Sequence, residues 1–282
     1  MKKQLILTAC GLVLVIALFK FGQTVVPKSN TGMPAPTTAR STFNIDQFIA
    51  KAKQSLTPSQ TLALGKLENS VKRGDVNTQL VAANTQLANF WKDSLHSFEP
   101  YAFYLSEAAK LDKSEKNLTF AAQLILADLR GETDEAKLNW KAAEAIDLFE
   151  RAIALNPEND DLKIGLGSCY VFGKGRFGGP EETMKGIQQL LAVVHKDSTN
   201  MKAQLALGVG GFVSGQYDKA LERLQRVVKA QPDNAEAVTY LAQTFEAKGD
   251  LVNARKWFEI SKRLVNDLQY SKEIDDHLSQ MR

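Results

Sequence analysis

The stretch LALGVGGFVSGQYDKALERLQRVVKAQPDN, residues 205–234, places two apolar patterns of helical period on either side of a glycine turn. The residues that form the pattern are Leu207, Gly208, Gly215, Gln216, Tyr217, Ala220, Leu224, Val227 and Pro232. The proline follows the second helix because it cannot continue one. Extended back to Met201, the stretch makes a unit of 34 residues that predicts a helix–turn–helix.

The same order of small and large residues recurs on both sides of this unit. The following 34 residues carry it at Leu241, Ala242, Phe245, Gly249, Ala254 and Phe258. Residues 160–200 carry it at Leu166, Gly167 and Tyr170, but this unit has 41 residues, seven more than its neighbour. An earlier second helix is marked by Ala145, Phe149, Ala152 and Pro157, and a degenerate one by Ala102, Ser106 and Ala109.

This pattern resembles the tetratricopeptide repeat, a 34-residue helix–turn–helix. The resemblance implies an all-α, right-handed α-solenoid with repeats at about residues 117–159, 160–200, 201–234 and 235–268. A helical region with a degenerate repeat, residues 43–116, is expected before them, and a capping helix, residues 269–282, after them. Proteins of this family bind peptides or helices in a concave groove lined mainly by the first helix of each repeat.

The small residues of the pattern have a physical role, because two antiparallel helices approach closely only where one side carries little side chain. We expect Gly208 and Ala220 to serve this role in one repeat, and Ala242 and Ala254 in the next. Larger neighbours such as Leu224 fill the space around them.

The N-terminus indicates a membrane anchor. Residues 5–19 form an uncharged apolar run after Lys2 and Lys3, and Lys20 can extend to the interface. No small-x-small cleavage site follows, so we expect an uncleaved signal anchor over residues 1–21. The chain would then be a single-pass protein of the inner membrane, with its bulk facing the periplasm or the cell exterior. A cleaved signal peptide and a lipidated Cys10 in a lipobox-like LTAC are the alternatives.

Residues 22–42 contain three prolines with many Thr and Ser residues and no apolar periodicity. This composition is typical of a disordered linker. A linker of about 20 residues would span on the order of 25 Å.

The stretch FGKGRFGGPEE, residues 172–182, contains Gly173, Gly175 and Gly178 in the spacing of a dinucleotide-binding loop. Such a loop must follow a buried strand, whereas the residues before it read as a first helix. We therefore expect a longer turn between the two helices of one repeat, with Arg176 and Phe177 exposed at its tip as candidate contacts.

Composition and motifs favour binding over catalysis. The net charge of +3 and the interleaved charges give no basic stripe for nucleic acid. Two cysteines and three separated histidines form no metal-ligand motif, and no nucleophile or phosphate-loop signature occurs. We expect no enzyme activity, no cofactor and no metal.

The first-helix offsets that point into the groove in this family predict the binding residues. They carry Ile164, Ser168, Val171, Phe172, Leu205, Val209, Phe212, Thr239, Gln243 and Glu246. This set favours an apolar peptide or helix over a charged C-terminus, since Lys202 stands nearly alone among basic residues there. Packing on neighbouring helices is the alternative role.

The sequence therefore predicts a protein-binding scaffold in envelope complex assembly. The alternatives are a factor resembling the repeat proteins of cytochrome c maturation, or a nucleotide-dependent enzyme using residues 173–178. Homo-oligomerisation is left open.

Overall fold

The computed structural model describes residues 42–73 and 76–281, which form helices joined by short turns and contain no strand. The α-helices are α1 (Ile45–Lys53), α2 (Pro58–Arg73), α3 (Asn77–Leu95), α4 (Phe98–Asp112), α5 (Glu115–Leu129), α6 (Glu135–Leu155), α7 (Asp160–Cys169), α8 (Gly175–Gly178), α9 (Pro180–Lys196), α10 (Met201–Val213), α11 (Tyr217–Ala230), α12 (Ala235–Ala247), α13 (Leu251–Val265) and α14 (Leu268–Gln280). A π-helical turn, Tyr170–Lys174, continues α7.

Helices that follow each other along the chain pack as pairs: α3 with α4, α5 with α6, α7 with α9, α10 with α11, and α12 with α13. Each pair packs on the next, and the first helices α5, α7, α10 and α12 contact one another in a row. This is the all-helical solenoid that the repeats predicted. Its right-handed sense remains a prediction.

The N-caps show why the helices begin where they do. The side chains of Asn200 and Asn234 accept hydrogen bonds from the backbone N–H groups of Ala203 and Ala237. These two asparagines occupy equivalent places in consecutive repeats, and Asn159 caps α7 by accepting a hydrogen bond from the N–H of Asp161. An N-cap oxygen satisfies one of the N–H groups that the first turn leaves without a partner.

Glycines let the backbones of paired helices touch. A Cβ at Gly186 of α9 would lie 2.5 Å from the carbonyl oxygen of Gly167 in α7, and one at Gly208 would lie 2.8 Å from Cγ of Leu224. Ala220 packs against Gly211, so both Gly208 and Ala220 lie where the two helices of this repeat approach closely, as the sequence predicted.

The degenerate N-terminal unit is packed like the later ones. Ala102 and Ser106 of α4 are fully buried, and Trp91 of α3 is the largest fully buried side chain among the residues that the structure describes. Ala102 belongs to a core that continues through α5 and α6 to Leu162 in α7.

The predicted membrane anchor, residues 1–21, and residues 22–41 of the predicted linker lie outside the described residues. Within residues 42–73 and 76–281, none of the helices combines the length and the apolar character needed to cross a bilayer.

We predict that Gly186→Ala lowers the free energy of unfolding by about 1–3 kcal/mol, because the added methyl group would overlap the backbone of α7. Gly65→Ala in α2 is the matched control, since no atom lies within 4 Å of the added methyl group. There we expect a gain of about 0.5–1 kcal/mol from helix propensity. Urea unfolding followed by circular dichroism measures both, and a stabilising Gly186→Ala would contradict the close crossing.

Candidate functional site

A cavity of about 260 Å³ lies along the row of first helices. Its lining comes from α5, α7 with its π-helical continuation, α10 and α12, which are the first helices of four successive repeats. The lining residues are Gln123, Leu126, Arg130, Asp161, Ile164, Gly165, Ser168, Phe172, Lys202, Leu205, Ala206 and Glu236. We call this cavity the first-helix groove.

One ion pair crosses the groove from its first repeat to its fourth. Nη1 of Arg130, the residue that caps the C-terminus of α5, lies 2.5 Å from Oε1 of Glu236 in the first turn of α12. The guanidinium also lies 4.7 Å from the ring centroid of Phe172. At this distance the ring and the cation attract each other, so Phe172 holds Arg130 at the edge of the groove.

A second ion pair joins the first helices of adjacent repeats. Nζ of Lys202 in α10 lies 3.0 Å and 3.2 Å from the two carboxylate oxygens of Asp161 in α7. Both side chains are largely exposed, at 72% and 52%. Exposed pairs of this kind contribute about 0–1 kcal/mol to stability. The Lys202–Asp161 pair therefore forms part of the rim of the groove, and its two side chains can rearrange at little cost.

A buried lysine positions the turn that carries Arg130. Nζ of Lys141 in α6 lies 2.5 Å from Oδ2 of Asp128 and 2.6 Å from Oε2 of Glu132, residues on either side of Arg130. Burial lowers the pKa of Lys141, but the hydrogen bonds and charges of the two carboxylates outweigh burial and raise it above its ordinary value. Lys141 therefore stays charged and ties the end of α5 to α6.

The Glu132 carboxylate responds in the opposite direction. Burial raises its pKa, yet Lys141 and the backbone N–H groups of Asp134 and Thr133 lower it overall. The same carboxylate thus holds both the lysine and the turn between α5 and α6.

Four of the predicted groove residues line the cavity: Ile164, Ser168, Phe172 and Leu205. The first three are spaced four residues apart, and Phe172 lies in the π-helical turn that continues α7. The structure adds charged and polar groups to this set, so the groove is less apolar than the sequence indicated.

The other predicted groove residues lie elsewhere. Val171 and Val209 are fully buried in the core between α7, α9 and α10, which corrects their assignment to the groove surface. Phe212 packs on Tyr217 and Tyr240, with ring centroids 6.1 Å and 5.7 Å away. These contacts favour the packing role that the sequence left as the alternative for Phe212.

The α12 offsets face different surroundings. Thr239 forms hydrogen bonds with Ser261 and with Tyr270 of α14, and Glu246 pairs with His277 of α14. The capping helix therefore covers these two positions, and they are not groove residues. Gln243 is half-buried and lies outside the cavity lining.

Sequence reasoning noted Lys202 but missed Asp161, Glu236 and Arg130, although a signal for the two acidic residues was present. Asp161, Lys202 and Glu236 are each the second residue of their helix and therefore share one repeat offset. Arg130 gives no such signal, because it lies at the opposite end of its own first helix.

The glycine-rich stretch lies between the two helices of one repeat, as the sequence predicted, but it is helical, so the expected turn conformation was wrong. Gly173 belongs to the π-helical turn and Gly175 begins α8; of the three glycines in the motif and Gly179, only Gly179 has a positive φ, 88°. A Cβ at Gly173 would lie 2.5 Å from Cβ of Ala142, so packing explains that glycine. The N–H of Gly175 already donates to helical carbonyl groups. A phosphate-binding loop needs such N–H groups free after a strand, and this arrangement has neither feature.

The predicted tip residues are exposed, as the sequence indicated. Nη1 of Arg176 donates a hydrogen bond of 3.0 Å to the carbonyl oxygen of Glu132, and its guanidinium lies 5.7 Å from the ring centroid of Phe177. Arg176 thereby joins the α5–α6 turn to α8.

Residues 201–267, which cover α10 to α13, match the family model described as tetratricopeptide repeat. This part of the chain carries tetratricopeptide repeats. Two of the four first helices that line the groove, α10 and α12, belong to it. Among the described residues, no group of three or more His, Cys, Asp or Glu side chains is placed to hold a metal ion.

Comparisons with other proteins support the repeat fold. The Protein CTR9 homolog of Arabidopsis thaliana is 28% identical over 155 residues, which are 54% of this chain and only 13% of that protein. A thermophilic TPR protein of Thermus thermophilus has a TM-score of 0.52 at 17% identity, covering 72% of this chain and 99% of its own. At this identity the likeness concerns the fold alone.

The structure of PilW, described as a widely conserved type IV pilus biogenesis factor, is 25% identical and covers 71% of this chain and 87% of its own. Its TM-score is 0.48, and no functional argument rests on it.

We predict that Phe212→Ala lowers the free energy of unfolding by about 2 kcal/mol, because it removes a half-buried ring from between two tyrosines. Val213→Ala is the control at the neighbouring, exposed position, with an expected change within about 0.5 kcal/mol. Thermal unfolding measures both. Equal midpoints for the two variants would show that Phe212 does not pack on these rings and would return it to the groove set.

Proposed function

We propose that this protein is a non-enzymatic scaffold that binds an extended segment of another protein in the first-helix groove. The observation that carries the proposal is the cavity along four successive first helices. Its volume of about 260 Å³ lies below the range of about 300–1,000 Å³ typical of small-molecule sites. A helix is about 10–12 Å across with its side chains. An extended segment that inserts one side chain fits this space better than a helical ligand, which the sequence also allowed.

The chemistry of the lining supports a protein ligand. Leu126, Ile164 and Leu205 provide an apolar floor, and the two ion pairs provide a polar rim. An apolar centre with a polar edge is the usual composition of a protein interface. The inserted side chain would supply most of the affinity, and the rim would orient the segment.

The proposal includes a place in the cell. The apolar residues 5–19, preceded by Lys2 and Lys3, favour a signal anchor that holds the repeats on the outer side of the inner membrane. From that position the groove would present itself to partners in envelope complex assembly. The support for this part is the sequence of residues 1–21.

We predict that Leu205→Gln strongly reduces partner capture, because it places an amide in the apolar floor without a large change in side-chain size. Full-length protein is solubilised in detergent from its own membranes, and the co-purifying proteins are quantified by mass spectrometry. Burial of a leucine contributes about 1.5–3 kcal/mol, so the recovery of true partners should fall roughly tenfold or more.

Val252→Gln in α13 is the matched control, since Val252 is 82% exposed and lies outside the groove. This variant should retain the wild-type set of partners. If Leu205→Gln retained the same set, the binding surface would lie elsewhere on the solenoid.

We predict that the full-length chain remains in the membrane fraction after carbonate extraction. We also predict that it retains residues 1–21, because the signal anchor is not cleaved. Extraction followed by N-terminal sequencing measures both properties. Release into the soluble fraction, with a start near residues 20–40, would replace the anchor with a cleaved signal peptide. Labelled lipid on Cys10 would indicate a lipoprotein.

A further inference from the structure

Within the part of the chain that the structure describes, most N–H donors of the Arg130 guanidinium have no protein acceptor. An arginine has five N–H donors in a planar fork. Among residues 42–73 and 76–281, Glu236 is the acceptor that this fork reaches, through Nη1. Phe172 supports the flat face of the fork, and the side chain of Arg130 is 41% exposed at the groove.

Two arginines and one carboxylate act on Tyr240 at this end of the groove. Tyr240 of α12 packs beside the core beneath the groove, and the charges around it shift the pKa of its hydroxyl group. Burial raises its pKa, Glu236 raises it further, and both Arg130 and Arg176 lower it. The guanidinium groups of Arg130 and Arg176 and the carboxylate of Glu236 therefore lie near Tyr240.

We infer that Arg130, held on Phe172, is the binding site for an acidic side chain of the partner segment, and that Glu236 occupies this site until the partner displaces it. This inference rests on the proposed function of the first-helix groove. The partner segment would place an Asp or Glu side chain on Arg130 and an adjacent apolar side chain on Ile164 and Leu205, which line the same cavity.

Glu236 is suited to be displaced. It is 35% exposed, and its pair with Arg130 joins helices that are 106 residues apart in sequence. Exposed ion pairs contribute about 0–1 kcal/mol, so a partner carboxylate that arrives with apolar contacts can replace Glu236. The reverse exchange is less favourable, because a basic ligand bound to Glu236 would leave the Arg130 guanidinium, which Phe172 holds in place, without its carboxylate.

The first measurement selects the ligand class. A phage-displayed library of random linear peptides is selected on the full-length protein in detergent, and Leu205→Gln protein identifies the binders that need the groove. We expect these binders to be enriched in Asp or Glu next to a large apolar residue. A library without groove-dependent binders would overturn the proposed function and this inference with it.

The second measurement uses one selected peptide and its amide form, with Asp or Glu changed to Asn or Gln. For Arg130→Gln we expect about a tenfold or greater loss of affinity for the acidic peptide and little further loss for the amide form. For Glu236→Gln we expect affinity to increase about two- to fivefold, because the competing carboxylate is gone. Arg226→Gln, in the exposed ion pair with Glu222 outside the groove lining, is the matched control and should leave affinity unchanged.

Arg130→Gln should lower the affinity for the acidic peptide, and Glu236→Gln should raise it. These opposite changes in affinity distinguish a binding role of Arg130 from a structural one. If Arg130→Gln and Glu236→Gln weaken binding equally, the pair only holds the groove in shape and the inference is overturned. Groove-dependent binders with no need for Arg130 overturn it as well and leave the proposed function intact. If Arg130→Gln fails to fold, Arg130→Lys, which keeps the charge and loses the planar fork, should still weaken the acidic peptide more than its amide form.

Discussion

The contact between the Gly167 and Gly186 backbones is the constraint on which this part of the solenoid depends. A repeat can stack only if its two helices cross closely, and at this crossing a Cβ at Gly186 of α9 would lie 2.5 Å from the carbonyl oxygen of Gly167 in α7. The seven extra residues of this repeat enter between the two helices as a π-helical turn and α8, so the crossing itself is preserved. Insertions are tolerated where they do not separate packed backbones.

Stacking places the first helices in one row, and this row creates the groove. Residues that share a repeat offset then become neighbours in space, which is why Asp161, Lys202 and Glu236 all reach the same cavity. The extra turn contributes as well, since Phe172 lies in it and supports Arg130. Bulges of this kind often occur where a helix carries a functional side chain.

Electrostatics holds the edge of the groove in place. Lys141 is nearly buried, with 4% of its side chain exposed, and it is surrounded by the carboxylates of Asp128 and Glu132. A buried charge requires such partners. Asp128 and Glu132 lie on either side of Arg130 in the sequence. Their pairing with Lys141 therefore also fixes the position of Arg130 at the end of α5. Arg176 adds a further tie through the Glu132 carbonyl group.

The sequence alone determined the helical class and the helix–turn–helix period. It also predicted four residues that line the cavity, because their positions follow from spacing along one or two neighbouring helices: Ile164, Ser168, Phe172 and Leu205. It misassigned Val171 and Val209, since a buried and a groove-facing apolar residue look alike in a one-dimensional pattern. Only the tertiary structure decided that Arg130 meets Glu236, 106 residues away. That contact depends on how four stacked repeats curve towards each other, and the curvature results from small packing angles summed over the repeats.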